Sequence, residues 1–435
     1  MLRRVIPLLV AFVAVHVVVA VLGYQQPNEP MGDVYLVYEP WSRCALFGGV
    51  DVTSCTRSDT WQWPGITEKW IYPQLAFLPM TFAWVFAWAI SYTPAWALTV
   101  SLFNLVAFLV LVGDARSRGR VIAAWFWLAA ILLIGPVGIY RIDGITVPLA
   151  LLGGIWMLRR PFVASLLLSI AVWMKVWPAA ILAAGLVIIR RRLALVWGAV
   201  AVSLATIIPV VALGGAPYVF GFVGDQTTRG IQMEAPVGGL YMFLAAFYVP
   251  GSEVYYDGDV LTFQVTGPGA EPLIAAMTPI MLLVMAGVAA VGVWKLRHGA
   301  TFLALFPPLS LALVTAFIAL NKVGSPQYYV WLFAPVALGL MLDRRRWYSF
   351  AAMTLVIAGL TQWMYPMLYD GLMATHPNPF PVVVLELRNL LALVLLVWAI
   401  VRVVKAPTGR VRPPAGLREI VTGRRPVPPR VPAGR

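Results

Sequence analysis

The sequence predicts an all-α, polytopic integral membrane protein, and three observations carry that prediction. Of its 435 residues, 61% are hydrophobic and only 11% charged, whereas a soluble domain carries about 25% charged residues. Runs of roughly 18–22 apolar residues recur along the chain, each long enough to cross a hydrocarbon core of about 30 Å as a helix that satisfies its own backbone. Arginine-rich clusters punctuate these runs: Arg3-Arg4, Arg116/Arg118/Arg120, Arg159-Arg160, Arg190-Arg191-Arg192, Lys295/Arg297 and Arg344-Arg345-Arg346. The short alternating segments of a membrane β-barrel are not seen.

The clusters set the sidedness, because short loops rich in Lys and Arg stay cytoplasmic. With them inside, most of the 32 Lys and Arg residues face the cytoplasm. Of the 18 acids, only Asp114, Asp343 and Glu419 do so. The net charge of +14 then reflects topology and attraction to anionic lipid headgroups, not nucleic-acid binding.

The elements follow in order. Residues 5–23 form an outward-going span, read as an uncleaved anchor behind Arg3-Arg4. Residues 24–92 form the first outer loop, which holds both cysteines, Cys44 and Cys55. An oxidising exterior would permit a disulfide between them, and sequence leaves its geometry open. Residues 71–92 are apolar, but a full crossing there would place Arg116, Arg118 and Arg120 outside. They are therefore expected as a helix lying in or dipping into the outer leaflet. Residues 94–112 return inside, 121–139 go out and 145–157 come back to Arg159-Arg160. The segment 161–189 starts and ends at cytoplasmic arginines, with Lys175-Val-Trp-Pro178 in its middle. It is too short for two full crossings. Its proline predicts two short helices meeting below the outer surface, the broken backbone facing protein or a water-filled cavity.

Residues 193–213 lead to a second large outer segment, 214–271. Spans at 272–294, 301–320, 328–342, 348–364 and 382–404 bring the set to about twelve helices, with both termini inside. Residues 1–404 thus make one membrane domain in the inner (plasma) membrane, and the Pro/Arg-rich tail 405–435 is expected to be disordered. No internal repeat of the kind common in transporters is visible.

The polar residues that look out of place lie almost all on the outer side. Asp33 sits among Tyr35, Tyr38 and Glu39; Glu68 to Pro73 includes Tyr72; Arg141-Ile-Asp143 lies between two spans. Lys175 falls within the membrane. Arg229, Gln232 and Glu234 form one further group, and Lys322, Gln327 and Tyr328 another. Ionisable groups at bilayer depth are costly and by default mark a site. Each also has a plainer role: a solvated loop carboxylate, a snorkelling lysine, an Arg229–Glu234 pair, or an interfacial anchor at Lys322. Glu386 and Arg388, two apart on one helix, do not share a face, which predicts partners elsewhere in the bundle. The many Trp and Tyr residues suit an interfacial belt. His16, His298 and His376 are scattered, and no Cys/His metal spacing exists. No phosphate-binding glycine loop, nucleophile elbow or dinucleotide fingerprint occurs. With no soluble domain to hold a nucleotide, any activated substrate is expected to arrive through the membrane.

Five outer motifs, in order, resemble a known pattern: Asp33 with Tyr38; Tyr72-Pro73; Lys175-Val-Trp-Pro178; Arg229-Gly-Ile-Gln-Met-Glu234; and Lys322-Val-Gly-Ser-Pro-Gln-Tyr328. The chain resembles the glycosyltransferases of the GT-C fold, and more narrowly glycosyltransferase family 87, which includes actinobacterial mannosyltransferases. The likeness covers roughly residues 1–400, and the Ser-Pro-Gln-Tyr element is its most specific part. Gln74 stands where the family has a second proline and Ala235 where it has serine. Ile142-Asp143-Gly144 stands in place of a Gly-Gln-x-Asn.

The resemblance implies inverting transfer of a sugar, mannose foremost, from a polyprenyl-phosphate donor to a glycolipid or glycan acceptor outside. It implies Asp33 as the catalytic base. The residue chemistry agrees: an attacking hydroxyl needs its proton removed, and a phosphate leaving group needs positive charge. Arg229, Lys322 and Lys175 are the outer cations expected at the phosphate, in that order, since Arg offers a two-pronged contact and Lys a point charge. Tyr35, Tyr38, Tyr72, Asp143, Gln232, Glu234, Gln327 and Tyr328 are expected to orient the sugar or the acceptor. No cofactor or metal is required, though outer carboxylates could bind an ion. The alternatives are a polyprenyl-phosphate-arabinose arabinofuranosyltransferase, a lipid or polysaccharide transporter, and a non-catalytic assembly protein.

Overall fold

The computed structural model of the protein describes residues 2–48, 63–222, 224, 229–258 and 262–409. The apolar runs form helices. Among the described residues, seven are long and apolar enough to cross a membrane: Arg4–Gln25, Tyr92–Val112, Arg118–Ile139, Arg192–Ala212, Ala270–Arg297, Phe302–Ala319 and Pro379–Val404. Their burial sorts them into layers. The apolar windows of Phe302–Ala319 and Arg118–Ile139 are 78% and 72% buried, so these two helices form the centre. Those of Ala270–Arg297 and Arg4–Gln25 are only 17% and 22% buried, so apolar side chains cover their outer faces. Leu282, Leu283, Val10 and Val13 are among those exposed residues. An all-round apolar helix left uncovered by protein suits hydrocarbon and not water.

Shorter helices complete the bundle. Asp143–Trp156 is buried through its first twelve positions. The segment expected to break in the membrane does break: Pro161–Val172 and Ala179–Ile188 are separate helices, and Lys175 lies in the gap. The apolar stretch after Tyr72 forms Phe77–Phe82 and Trp84–Ile90, parted at Ala83 and stopped by Ser91 at φ 62°. At 1.5 Å per residue the pair is too short to span the core. Its second helix buries no residue, and Trp88 is 85% exposed. The helix Phe333–Gln362 combines two expected spans, with non-helical dihedrals at Asp343 where the arginine turn intervenes.

The second large outer segment is not wholly helical. Three strands, β1 (Ile231–Gln232), β2 (Glu253–Asp257) and β3 (Thr262–Thr266), form an antiparallel sheet in the order β1-β3-β2. The all-α expectation did not include it. Aromatic and β-branched residues favour strands when half-buried, and β2 and β3 are rich in them. Val254 opposes Val265 and Tyr256 opposes Phe263. The sheet packs on helices Gly239–Ala246 and Pro379–Val404 through Ile231, Val254, Val265, Met242 and Leu385.

Cys44 is buried and disulfide-bonded; Cys55 lies outside the described residues. Of the tail, residues 405–409 are described. Ala406 accepts a hydrogen bond from the buried Lys295 ammonium (3.1 Å), and the Gly409 amide donates to the His298 carbonyl (3.0 Å). The expected disorder of the tail concerns residues that lie mostly outside the described ones.

Candidate functional site

At the Asp33 end of the bundle lies a cavity of about 670 Å³. Its wall includes Asp33, Tyr72, Lys175, Arg229, Gln232, Glu234, Lys322, Gln327 and Tyr328, drawn from all five sequence motifs. Tyr35, Tyr38 and Asp143 are not part of the wall.

Asp33 is delivered by the turn that ends the first long helix. Asn28 and Glu29 adopt positive φ there. The turn is tied down by Asn28, whose side chain donates to the Pro366 carbonyl (2.9 Å) and whose carbonyl accepts from the Tyr365 hydroxyl (2.8 Å). Asp33 then precedes a short π-helix, Val34–Tyr38. Its carboxylate forms an ion pair with Arg141, and the two side chains are 30% and 15% exposed. Arg141 also acts on Tyr365 and on Glu234 through its charge. It therefore sits between two carboxyl groups of the wall.

The turn carrying Arg141 is fixed from several sides. The Trp96 indole donates to the Tyr140 carbonyl (2.8 Å), and the Asn104 amide donates to the Gly144 carbonyl (2.9 Å). The Tyr38 hydroxyl accepts from the Ile142 amide (3.1 Å). Tyr38 thus braces the wall from behind instead of facing a ligand. Asp143 does the same. It is fully buried, and it accepts from the Lys175 ammonium (2.7 Å) and the Trp331 indole (2.6 Å). Lys175 faces the cavity with its charge already balanced, its ammonium 4.9 Å from the Tyr328 ring centre. Such a pair holds two elements in register but leaves Lys175 a weaker attractor for a further anion. Tyr35 is influenced by Glu29 and is not part of the wall.

The other cations reach the cavity on loops. Arg229 precedes β1, and its field acts on the Tyr72 and Tyr328 hydroxyls. Among the described residues its buried Nε has no hydrogen-bond partner, nor has Nε of Arg141. Among the described residues no carboxylate pairs with Arg229. Lys322 lies beside β1, its carbonyl accepting from the Gln232 amide (3.0 Å), while the Gln232 side chain accepts from the Gly324 amide (3.0 Å). Burial lowers the Lys322 ammonium below its ordinary pKa, partly opposed by Glu271. Gly324 permits this approach, since a Cβ there would lie 2.5 Å from the Ala235 backbone.

Glu234 is buried, and desolvation pushes its carboxyl up to about 7, against the opposing pull of Arg388. One oxygen accepts from Tyr369 (2.9 Å); the other has no hydrogen-bond partner and lies 3.8 Å from Arg388 Nη1. Arg388 itself is fully buried, donating to the Glu234 carbonyl (3.0 Å) and the Asn389 amide oxygen (2.9 Å). The partner expected elsewhere in the bundle for Arg388 is therefore Glu234, and Glu234 pairs with Arg388 instead of Arg229. Sequence reasoning singled out Arg141 beside Asp143 without giving it a role, and passed over Tyr365 and Tyr369 as site residues. Arg141 carried a signal, as a cation two residues before Asp143 at a span boundary; the tyrosines carried none.

The arrangement can hold an anion against a cluster of cations with a carboxylate alongside. Neither a protein-family model nor a curated protein matches the chain.

Proposed function

We propose that the chain is a membrane glycosyltransferase that moves a sugar, mannose first and arabinose second, from a polyprenyl-phosphate donor to an acceptor hydroxyl. In this reading it is a GT-C-like bundle of about twelve spans, with both termini cytoplasmic and the cavity facing outward from the inner (plasma) membrane. The single observation that supports it most is the composition of the cavity. Asp33, Arg141, Lys175, Arg229 and Lys322 line one space, with apolar Val37, Val176, Phe222, Met281 and Phe317 around them. A phosphate on a lipid chain asks for that mixture.

The chemistry follows from the charges. The acceptor oxygen forms a bond to the anomeric carbon as the bond from that carbon to the phosphate oxygen breaks, and the configuration inverts. Asp33 takes the hydroxyl proton. Before reaction the Asp33 carboxylate is paired with Arg141. The leaving group needs no strong acid, because the phosphate departs as a stable anion. Once Asp33 is protonated it no longer holds Arg141, whose charge is then free to meet the phosphate alongside Arg229 and Lys322.

The test uses membranes carrying wild type, Asp33→Asn or Asp33→Ala, supplied with radiolabelled polyprenyl-phosphate mannose. Transfer should fall by roughly 10²- to 10⁴-fold in both variants, with protein levels and melting temperature retained. Full activity in the variants would remove Asp33 from the base role. No transfer by wild type from either mannose or arabinose donors would end the enzyme reading. Arg229→Ala and Lys322→Ala should each weaken donor binding, and unchanged binding would take that residue out of the phosphate site.

A further inference from the structure

The helix Pro379–Val404 carries a carboxyl group that the Asp33 cavity does not use. Val382 and Leu385, near its start, pack in the core beneath the sheet. Glu386 follows, about 10 Å along the axis from Pro379 at 1.5 Å per residue, where the helix leaves that core. A second pocket of about 370 Å³ opens there. Glu386 and Asn389 form its polar side, and Val383, Leu387, Leu390 and Leu393 its apolar side. Val383, Leu387 and Leu390 are exposed, so the pocket opens on the outside of the bundle, where an apolar face suits hydrocarbon. The Glu386 carboxyl is held on one oxygen only. The buried Asn389 accepts on its amide oxygen from Tyr329 (3.0 Å) and Arg388 (2.9 Å), so its NH₂ group points the other way and donates to Glu386 Oε1 (3.2 Å). Gly239 leaves room for the second oxygen, since a Cβ there would collide with Oε2. Among the described residues Oε2 accepts no hydrogen bond, and no cation forms an ion pair with Glu386. Arg388, whose charge reaches Glu386, is spent on the Glu234 carbonyl, the Asn389 amide and the Glu234 carboxyl. A carboxylate at the edge of hydrocarbon is costly unless a cation or a donor meets it.

We propose that this pocket binds a phospholipid with a primary-amine headgroup, its ammonium on Glu386 and one acyl chain along Leu387, Leu390 and Leu393. A primary ammonium carries three N–H donors, and one of them on the free oxygen makes a charge-assisted hydrogen bond. The quaternary ammonium of a choline headgroup has no N–H to give, and an anionic headgroup would meet a like charge. The apolar wall selects a lipid over a soluble cation. Leu387, Leu390 and Leu393 are three residues apart and form a row on the helix surface, which an acyl chain covers and a small ion does not. The site stands apart from sugar transfer, because it uses none of the groups that meet the donor or the acceptor.

The probes are phosphatidylethanolamine, phosphatidylcholine and phosphatidylglycerol with identical chains, titrated into delipidated full-length protein in a non-ionic detergent and counted as bound lipid by native mass spectrometry. Wild type should bind the ethanolamine lipid roughly tenfold more tightly than the choline lipid, the scale of one charge-assisted hydrogen bond, and the glycerol lipid no better than the choline lipid. Glu386→Gln keeps the shape of the side chain. It should bring the ethanolamine lipid down to the choline level and leave choline binding unchanged, which also shows that the fold is intact. Glu386→Asp, still a carboxylate, should retain part of the preference. Equal affinity of wild type for the ethanolamine and choline lipids overturns the amine site. A preference that survives Glu386→Gln overturns it too, because the amine is then read elsewhere. Disulfide-linked dimers of Leu390→Cys in membranes would give this face to a second copy of the chain and likewise remove the lipid.

Discussion

Single residues in the cavity wall are tuned by burial and by one or two charged neighbours. Glu234 shows this most directly. Its carboxyl titrates near 7 instead of its ordinary 4.5 because desolvation outweighs the loose Arg388 contact. The folded protein therefore keeps a proton that the unfolded chain has lost between those values. Stability should be highest below about pH 4.5 in this respect and decline as pH rises towards 7. Glu234→Gln, neutral throughout, should show a shallower decline of melting temperature over that range; an identical pH profile would refute the buried-acid account. Gly324 makes a second residue-scale case. Gly324→Ala puts a methyl group against the Ala235 backbone. Overpacking of this kind costs about 1–3 kcal/mol, and here it also pushes Lys322 away from Gln232. Melting temperature and donor affinity should both fall.

At the scale of elements, the cavity depends on breaks in helices. Pro178 parts two short helices so that Lys175 can reach across to Asp143 at the start of another. The residues 173–178 of that gap would otherwise expose backbone at membrane depth. The pair is buried, so removing one partner strands the other. Lys175→Met should destabilise the protein by about 3–5 kcal/mol, seen as a lower melting temperature in detergent. The double variant Lys175→Met with Asp143→Asn should recover much of that loss. Additive losses would mean that the two residues do not act as a pair. The second break, at Gly135 and Pro136, works similarly. Gly135 has φ 68°, and a Cβ there would collide with the Gln362 amide. This lets the chain turn just before Arg141.

At the scale of the whole molecule, the expected weave makes its own prediction. The arginine turns and the C-terminus should face the cytoplasm, and the cavity should face outward. A fluorescent protein fused after Gly409 should fold and fluoresce, whereas a periplasmic alkaline phosphatase fused there should be inactive. The reverse outcome would invert the topology and take the cavity away from an external donor. The peripheral helices Ala270–Arg297 and Arg4–Gln25 should tolerate Leu-to-Ile changes at exposed positions with changes below about 0.5 kcal/mol. The central Phe302–Ala319 should not.

Much of this molecule was legible in the order of its residues. Apolar run length predicted the long helices, and the arginine clusters decided which gaps are turns. Pro178 announced the broken segment. The motifs named Asp33, Lys175, Arg229, Glu234 and Lys322, and all five line one cavity. These properties are local: run length, charge and a missing amide proton act wherever the chain goes. Pairing is not local. Only the tertiary structure decided that Arg141 takes Asp33, that Lys175 is spent on Asp143 and that Arg388 leans on Glu234. The residues of each pair lie on different elements, so their distances depend on how helices pack. The sheet was hidden for a related reason, since its strands are short and become strands only by pairing with each other above a core they share. Composition and periodicity thus settle which residues enter the membrane and where the chain turns. Packing settles which carboxylate meets which cation.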